Sequence, residues 1–165
     1  MTVQPLVKYP NSLLRQVSVR VTSFDAEFQI LVDDLIETML QQGSMGLAAP
    51  QIGVSRRVCV LNRRLILGSR GQKNKANDIV CIVNPEIQSE ECIIDSSEGC
   101  LSIPQQRGVV KRFQKIQLKA LDRNGSHFSL AAEGMLSIVI QHEIDHFDGI
   151  LFIDKLAFPH SNSQI

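Results

Sequence analysis

Along residues 28–39 the apolar positions return every third or fourth residue: Phe28, Leu31, Val32, Leu35, Ile36 and Met39. That is the period of one buried helix face. It predicts a helix over about residues 25–42, capped by Thr22 or Ser23, with Asp33, Asp34 and Glu37 on the solvated side. A second stripe, Met135, Ile138, Val139 and His142, keeps the i, i+3, i+4, i+7 spacing and predicts a helix over 132–146. A short helix opens near Asn11 or Ser12 and runs through Leu13 and Leu14.

Between the two long helices the pattern changes. Residues 57–62 and 79–84 are short apolar, β-branched runs, as buried strands are; 87–94 predicts a further strand. Residues 116–120 alternate, Asp122-Arg123-Asn124-Gly125 signals a turn, and 126–130 returns as the hairpin partner. Residues 43–51, rich in Gly and Ala, end the first helix as a loop, and 63–78, with Arg63, Arg64, Arg70, Lys73 and Lys75, predicts a solvated loop. With 165 residues, 44% of them hydrophobic, and no repeats or linkers, the chain is expected to form one α+β domain over 1–165. Its fold class is small mixed or antiparallel sheets around a central helix, and residues 155–165 form a short tail.

Composition removes several functions. The formal net charge is zero, which gives no case for nucleic acid or an anionic membrane surface. No apolar run is long enough to span a bilayer, and Met1-Thr2-Val3-Gln4-Pro5 lacks the basic start of a secretory signal, so the cytoplasm is expected. Of four cysteines, Cys59, Cys81 and Cys92 sit in apolar runs and are expected to be core residues. Cys100 stands instead in a polar, glycine-marked setting, Glu98-Gly99-Cys100-Leu101-Ser102, expected to be a functional turn.

The second helix carries chemistry. Residues 142–146 read H-E-x-x-H, which puts His142 and His146 one above the other on a single helix face. Two ring nitrogens can then meet one divalent ion, and Glu143 can reach a water beside it. A catalytic site needs a third protein ligand and an open position. The longer pattern H-E-x-x-H-x-x-G-x-x-H fails, because Phe152 stands where its last histidine belongs. Asp148, Asp154 and His160 are nominal candidates downstream; Cys100, a soft ligand upstream, is the better one.

Three segments in one order, Gly46-Leu47-Ala48-Ala49-Pro50-Gln51, Glu98-Gly99-Cys100-Leu101-Ser102 and His142-Glu143-Ile144-Asp145-His146, resemble the peptide deformylase family, bacterial type. The likeness extends from the first helix to Asp154. It implies a metal-dependent hydrolase that removes the N-formyl group from the initiator methionine of new polypeptides and releases formate. The resemblance implies Cys100, His142 and His146 as ligands, usually of Fe2+, with Zn2+, Ni2+ or Co2+ as substitutes. Glu143 becomes the general base and acid, and Gln51 with the Leu101 backbone N–H holds the developing oxyanion.

For the substrate the resemblance implies Met45, Gly46, Glu98, Gly99, Arg107, Met135, Ile138 and Val139. The last three would line a pocket for the methionine side chain, and Gly46 would let the peptide backbone lie alongside like an added strand. Arg107 would meet the peptide's distal end, and Asp145 would orient the site from behind. Formyl-methionyl nascent chains, and the ribosome that carries them, are the expected partners. One position departs from the family, which usually has glycine where this chain has Ser44. Two other readings are a peptidase whose third ligand is not Cys100, and a module that binds formylated or methionyl N-termini without turnover.

Overall fold

The computed structural model describes residues 2–68 and 78–157. The helix expected first is α1, Ala26–Gln41. Its cap is Asp25 rather than Thr22 or Ser23. The Asp25 carboxylate accepts from Phe28 N at 3.0 Å, while Ser23 Oγ donates to it at 2.7 Å, so the serine supports the cap from outside. Phe28, Val32, Leu35 and Met39 are buried as the stripe predicts. Its acidic side is occupied by other chain segments: Asp33 accepts from Arg123, and Asp34 from Thr2 N and the Gln4 amide. The short helix expected near residue 12 is a 3-10 turn, Ser12–Arg15, capped by Asn11.

The strands join in one antiparallel series, β1 (Gly46–Ala48), β2 (Val58–Asn62), β3 (Ile79–Cys100), β4 (Ile103–Leu121) and β5 (His127–Glu133), hydrogen-bonded in that order. Two expectations change here. Residues 43–51 are no simple loop, because they hold β1 and a 3-10 turn, Ala49–Ile52. The separate runs at 79–84 and 87–94 are parts of the 22-residue β3, which continues through the Cys100 segment. Register shifts at Val83/Glu86, Ile87/Ser89 and Gly99/Cys100 interrupt the alternation that a period-two reading follows. The same holds for β4, which begins 13 residues ahead of the expected 116. Of the basic stretch, 63–66 forms a short helix, α2 (Arg63–Ile66), with Arg64 buried; residues 69–77 lie outside the described residues.

The second long helix is α3, Met135–Phe147. It starts later than expected because Ala132 and Glu133 belong to β5, where Ala132 pairs with Ile116. Every residue of β2 is buried, since a helix covers each face. Cys59 and Leu61 pack toward α3 with Val139, Ile140 and Phe147. Val58 and Val60 pack toward α1 with Val32, Leu35 and Met39. The period of two thus divides one strand between two cores. Cys59 is core as expected, whereas Cys92 is exposed and lies in the left-handed backbone region, φ +57°.

Beyond α3, Phe152–Lys155 forms a 3-10 turn in which Phe152 is buried with Leu14, Ile103 and Val110. Residues 158–165, with His160 and most of the expected tail, lie outside the described residues. No helix among the described residues is long and apolar enough to cross a membrane.

Candidate active site

Helix α3, the free edge strand β1 and the tight turn between β3 and β4 meet at one cleft of about 960 Å³. Its walls include Ser44, Met45 and Gly46 on one side and Glu98, Gly99, Cys100, Leu101 and Arg107 on the other. Ile138, Val139, His142 and Glu143 of α3 form its floor, and Met135 also lines it. The ligand atoms of Cys100, His142 and His146 lie within 4.8 Å of one another. Cys100 Sγ is 3.4 Å from His146 Nε2. Nominal ligands from the sequence are engaged elsewhere: Asp148 accepts from Arg57 at 2.6 Å, and Asp154 pairs with Arg15.

Charge at the cluster favours a cation. Burial alone would lower the pKa of His142, but the Cys100 sulfur and the Glu98 carboxylate outweigh it and push the imidazole up to about 10, so a metal ion that binds there takes the place of a proton. Burial holds His146 well below its ordinary range, which leaves its ring neutral and able to ligate. A soft sulfur and two imidazoles suit zinc or a first-row transition metal, so the donor set fits a bound divalent ion.

Glu98 is held from below. Arg112 Nε and Nη2 donate to Glu98 Oε1 and Oε2 at 2.7 and 2.9 Å, and His142 Nδ1 sits 2.9 Å from Oε2. Glu98 is 6% exposed, and although burial opposes ionisation, the arginine and the histidine bring its pKa down to about 2. The carboxylate therefore faces His142 rather than offering a free oxygen to the cleft. Arg112 Nη1 donates to Asp145 Oδ2 at 2.6 Å, and Lys155 donates to Asp145 Oδ1 at 2.7 Å. The Asp145 expectation thus gains two partners that sequence reasoning missed, Arg112 and Lys155. Nothing in the local pattern of 111–113 marks Arg112, whose partners come from β3 and α3.

Gln51 is 2% exposed. Its Oε1 accepts from Ala48 N at 2.9 Å, which turns its amide nitrogen toward Cys100 Sγ and Ser102 Oγ, each at 3.4 Å. Glu143 is buried, and burial raises its pKa to about 7 against the opposing charge of His142. Glu143 Oε2 and His146 Nδ1 have no hydrogen-bond partner among the described residues. Glu143 lines the cleft, so its carboxylate can accept a proton from a reactant that enters.

Gly46 explains how Glu143 fits. A Cβ at residue 46 would stand 2.5 Å from Glu143 Oε1 and 3.0 Å from Val139 Cγ1. Ile138 and Val139 are buried in the floor, whereas Met135 is 44% exposed at its outer rim. Ser44 causes no backbone strain. The left-handed position belongs to Gly43, φ +61°, and the Ser44 hydroxyl donates to Gly46 O at 2.8 Å.

Known proteins are similar to this chain in sequence and in fold. The polypeptide deformylase family matches residues 3–162. A peptide deformylase of Thermodesulfovibrio yellowstonii is 39% identical over 157 residues, 95% of this chain and 91% of that protein. The crystal structure of a peptide deformylase from Legionella pneumophila superposes with a TM-score of 0.85 at 40% identity, covering 94% of this chain and 87% of that one. A Met-Ala-Ser-bound class I type b peptide deformylase from Acinetobacter baumannii superposes with a TM-score of 0.81 at 28% identity, covering 94% and 99%. A metal-dependent hydrolase family that removes the N-formyl group from formyl-methionyl peptides therefore includes this chain, which belongs to the polypeptide deformylases.

Proposed function

We propose that Cys100, His142 and His146 hold Fe2+, with Zn2+, Ni2+ or Co2+ able to substitute, and that the surrounding side chains carry deformylation. The observation that supports this most is the placement of the Gln51 amide and of Glu143 beside a cluster of three ligand atoms within 4.8 Å of one another. When bound, the ion supplies Lewis-acid activation of water and positive charge for the oxygen of the formyl group.

The chain's own groups do the rest. Glu143, raised to about 7 by burial, takes the proton from the attacking water and returns one to the departing amine nitrogen. The Gln51 amide and the Leu101 backbone N–H donate to the oxygen that becomes negative as the formyl carbon turns tetrahedral. Glu98, fixed by Arg112, keeps the His142 ring in one orientation, which makes it a positioning residue rather than a substrate contact. Asp145 holds the far side of Arg112.

The methionine side chain enters between Ile138 and Val139, with Met135 at the mouth. Its backbone lies between the free edge of β1 at Met45 and Gly46 and the strand end at Gly99. Arg107, exposed beside Gly99, meets the distal part of the peptide. The chain works as a single catalytic domain in the cytoplasm, on nascent formyl-methionyl chains as they leave the ribosome.

The test is formate release from formyl-Met-Ala-Ser by anaerobically purified, Fe2+-loaded protein, beside Glu143→Ala. Turnover in the parent and its loss in a variant that retains metal is expected. A folded, fully metallated parent that releases no formate overturns the assignment.

A further inference from the structure

The serine at position 44 does more than fit. Strand β1 pairs with β2 in the register Gly46↔Leu61, and Asn62 N donates to Met45 O at 2.8 Å. Hydrogen-bonded and non-bonded pairs alternate along an antiparallel ladder, so the N–H and C=O of Gly46 point away from β2. Ala48, two residues on, agrees: its N–H meets the Gln51 side chain, not β2. Strand β1 ends the sheet, and Ser44, Met45 and Gly46 line the cleft. The Gly46 carbonyl is therefore an acceptor on the open edge, where an added peptide strand would place an N–H. That acceptor already holds the Ser44 hydroxyl at 2.8 Å, an ordinary O–H···O length.

We propose that Ser44 sets the affinity of the cleft for peptide backbone by competing, through its hydroxyl, for the Gly46 carbonyl that an incoming peptide N–H would use. This rests on the reading that the formylated peptide pairs along β1. A carbonyl oxygen has two lone pairs, so the hydroxyl does not exclude the peptide. It withdraws charge from the shared oxygen, which makes the second bond weaker. The first bond stays on the enzyme's own chain, between residues two apart, and needs no partner to form. Ser44 therefore acts on substrate capture through Gly46, and is itself neither a metal ligand nor the base. A substrate that offers no N–H at this point is indifferent to it.

The test compares the Fe2+-loaded parent, Ser44→Ala and Ser44→Thr. Substrates are formyl-Met-Ala-Ser and three analogues in which an ester oxygen replaces the backbone N–H of the first, the second or the third residue. Loss of the competing hydroxyl should lower KM for the all-amide peptide about three- to tenfold in Ser44→Ala, with the change on KM rather than kcat. One ester should erase that gain, so its KM penalty is larger in Ser44→Ala than in the parent. Ser44→Thr, which keeps a hydroxyl, should behave as the parent. Ser44 lies outside the left-handed backbone region, so alanine is tolerated there; Ser44→Gly serves the same comparison should Ser44→Ala fail to fold. An ester penalty of equal size in parent and variant, or a higher KM in Ser44→Ala, overturns the role of Ser44 while leaving peptide pairing intact. Esters that change KM in neither protein overturn the pairing along β1 itself, and with it this inference.

Discussion

Arg112 grips both oxygens of Glu98 in a forked pair, at 2.7 and 2.9 Å, with the two side chains almost wholly buried. Such a pair adds little net stability, because both charges lose their hydration, but breaking it is costly. Arg112→Met strands Glu98 beneath His142 and should cost about 3–5 kcal/mol of stability, read by chemical denaturation. Metal affinity should fall about 10–100-fold, read by competition with a chromophoric chelator. A variant with parental metal affinity would show that Glu98 does not depend on Arg112 to orient the histidine.

Gln51 uses its two ends for different things, so they can be separated. Gln51→Glu keeps an oxygen for Ala48 N but loses the donor that faces Cys100. The expected result is a fall in kcat of about a hundredfold or more with metal content unchanged. A kcat within a few-fold of the parent would remove the amide from oxyanion stabilisation.

Gly46→Ala tests the close approach of β1 and α3. The new methyl would sit 2.5 Å from Glu143 Oε1, so the carboxylate must move. We expect a folded protein that retains its metal, by circular dichroism and metal analysis, with kcat reduced more than tenfold, since a displaced base loses most of its contribution. Parental kcat would mean that the Glu143 position is not critical.

Cys100→Ala separates this site from peptidases with a different third ligand. Metal content after dialysis against trace Fe2+ or Zn2+ should fall below one-tenth of the parent's, as loss of one of three ligands requires. Near-stoichiometric metal in the variant would take Cys100 out of the ligand set.

Acid stability has a contribution far from the cleft. Arg15 pairs with Asp154, which also accepts from Leu151 N, and these bonds hold the Asp154 carboxyl below its ordinary 3.8. The unfolded chain therefore takes up this proton first as pH falls. The contribution is whole above about 3.8 and is lost as pH drops through the folded value. Both side chains are more than a third exposed, so solvent screening limits it to about 0.5–1 kcal/mol. Asp154→Asn should narrow the stability difference between pH 6 and pH 3 by that amount in urea titrations.

How legible all this was depended on whether a residue's neighbours are near in sequence. His142, Glu143 and His146 share a helix face, and a four-residue spacing alone brings them together. The α1 stripe was legible for the same reason. Arg112 was not, because its partners Glu98 and Asp145 lie 14 and 33 residues away, and only the β3–β4 register and the docking of α3 unite them. Strand β3 looked like separate pieces because its bulges break the alternation at Val83/Glu86 and Ile87/Ser89. Met135 has the right period for burial, yet it begins α3 at the cleft's rim, where the stripe runs out of core to cover. Gln51 reads as an ordinary loop amide until the turn after β1 folds it under Ala48.

The double burial of β2 leaves that strand without a polar face. In a strand with one wet side, a slip by one residue is punished at every position, because each side chain changes environment. Here a slip would exchange Val58 and Val60 for Cys59 and Leu61 between two apolar cores, and most of that penalty vanishes. Alignment must come from the strand's polar ends. Arg57 is anchored to Asp148 at 2.6 Å and lies over the Phe147 ring, while the Asn62 side chain accepts from Leu65 N at 3.2 Å. Because Gly46 stands opposite Leu61, these two end anchors also decide which β1 residue faces Glu143. Polar residues at the ends of a hidden strand thereby set the alignment of an interior catalytic contact.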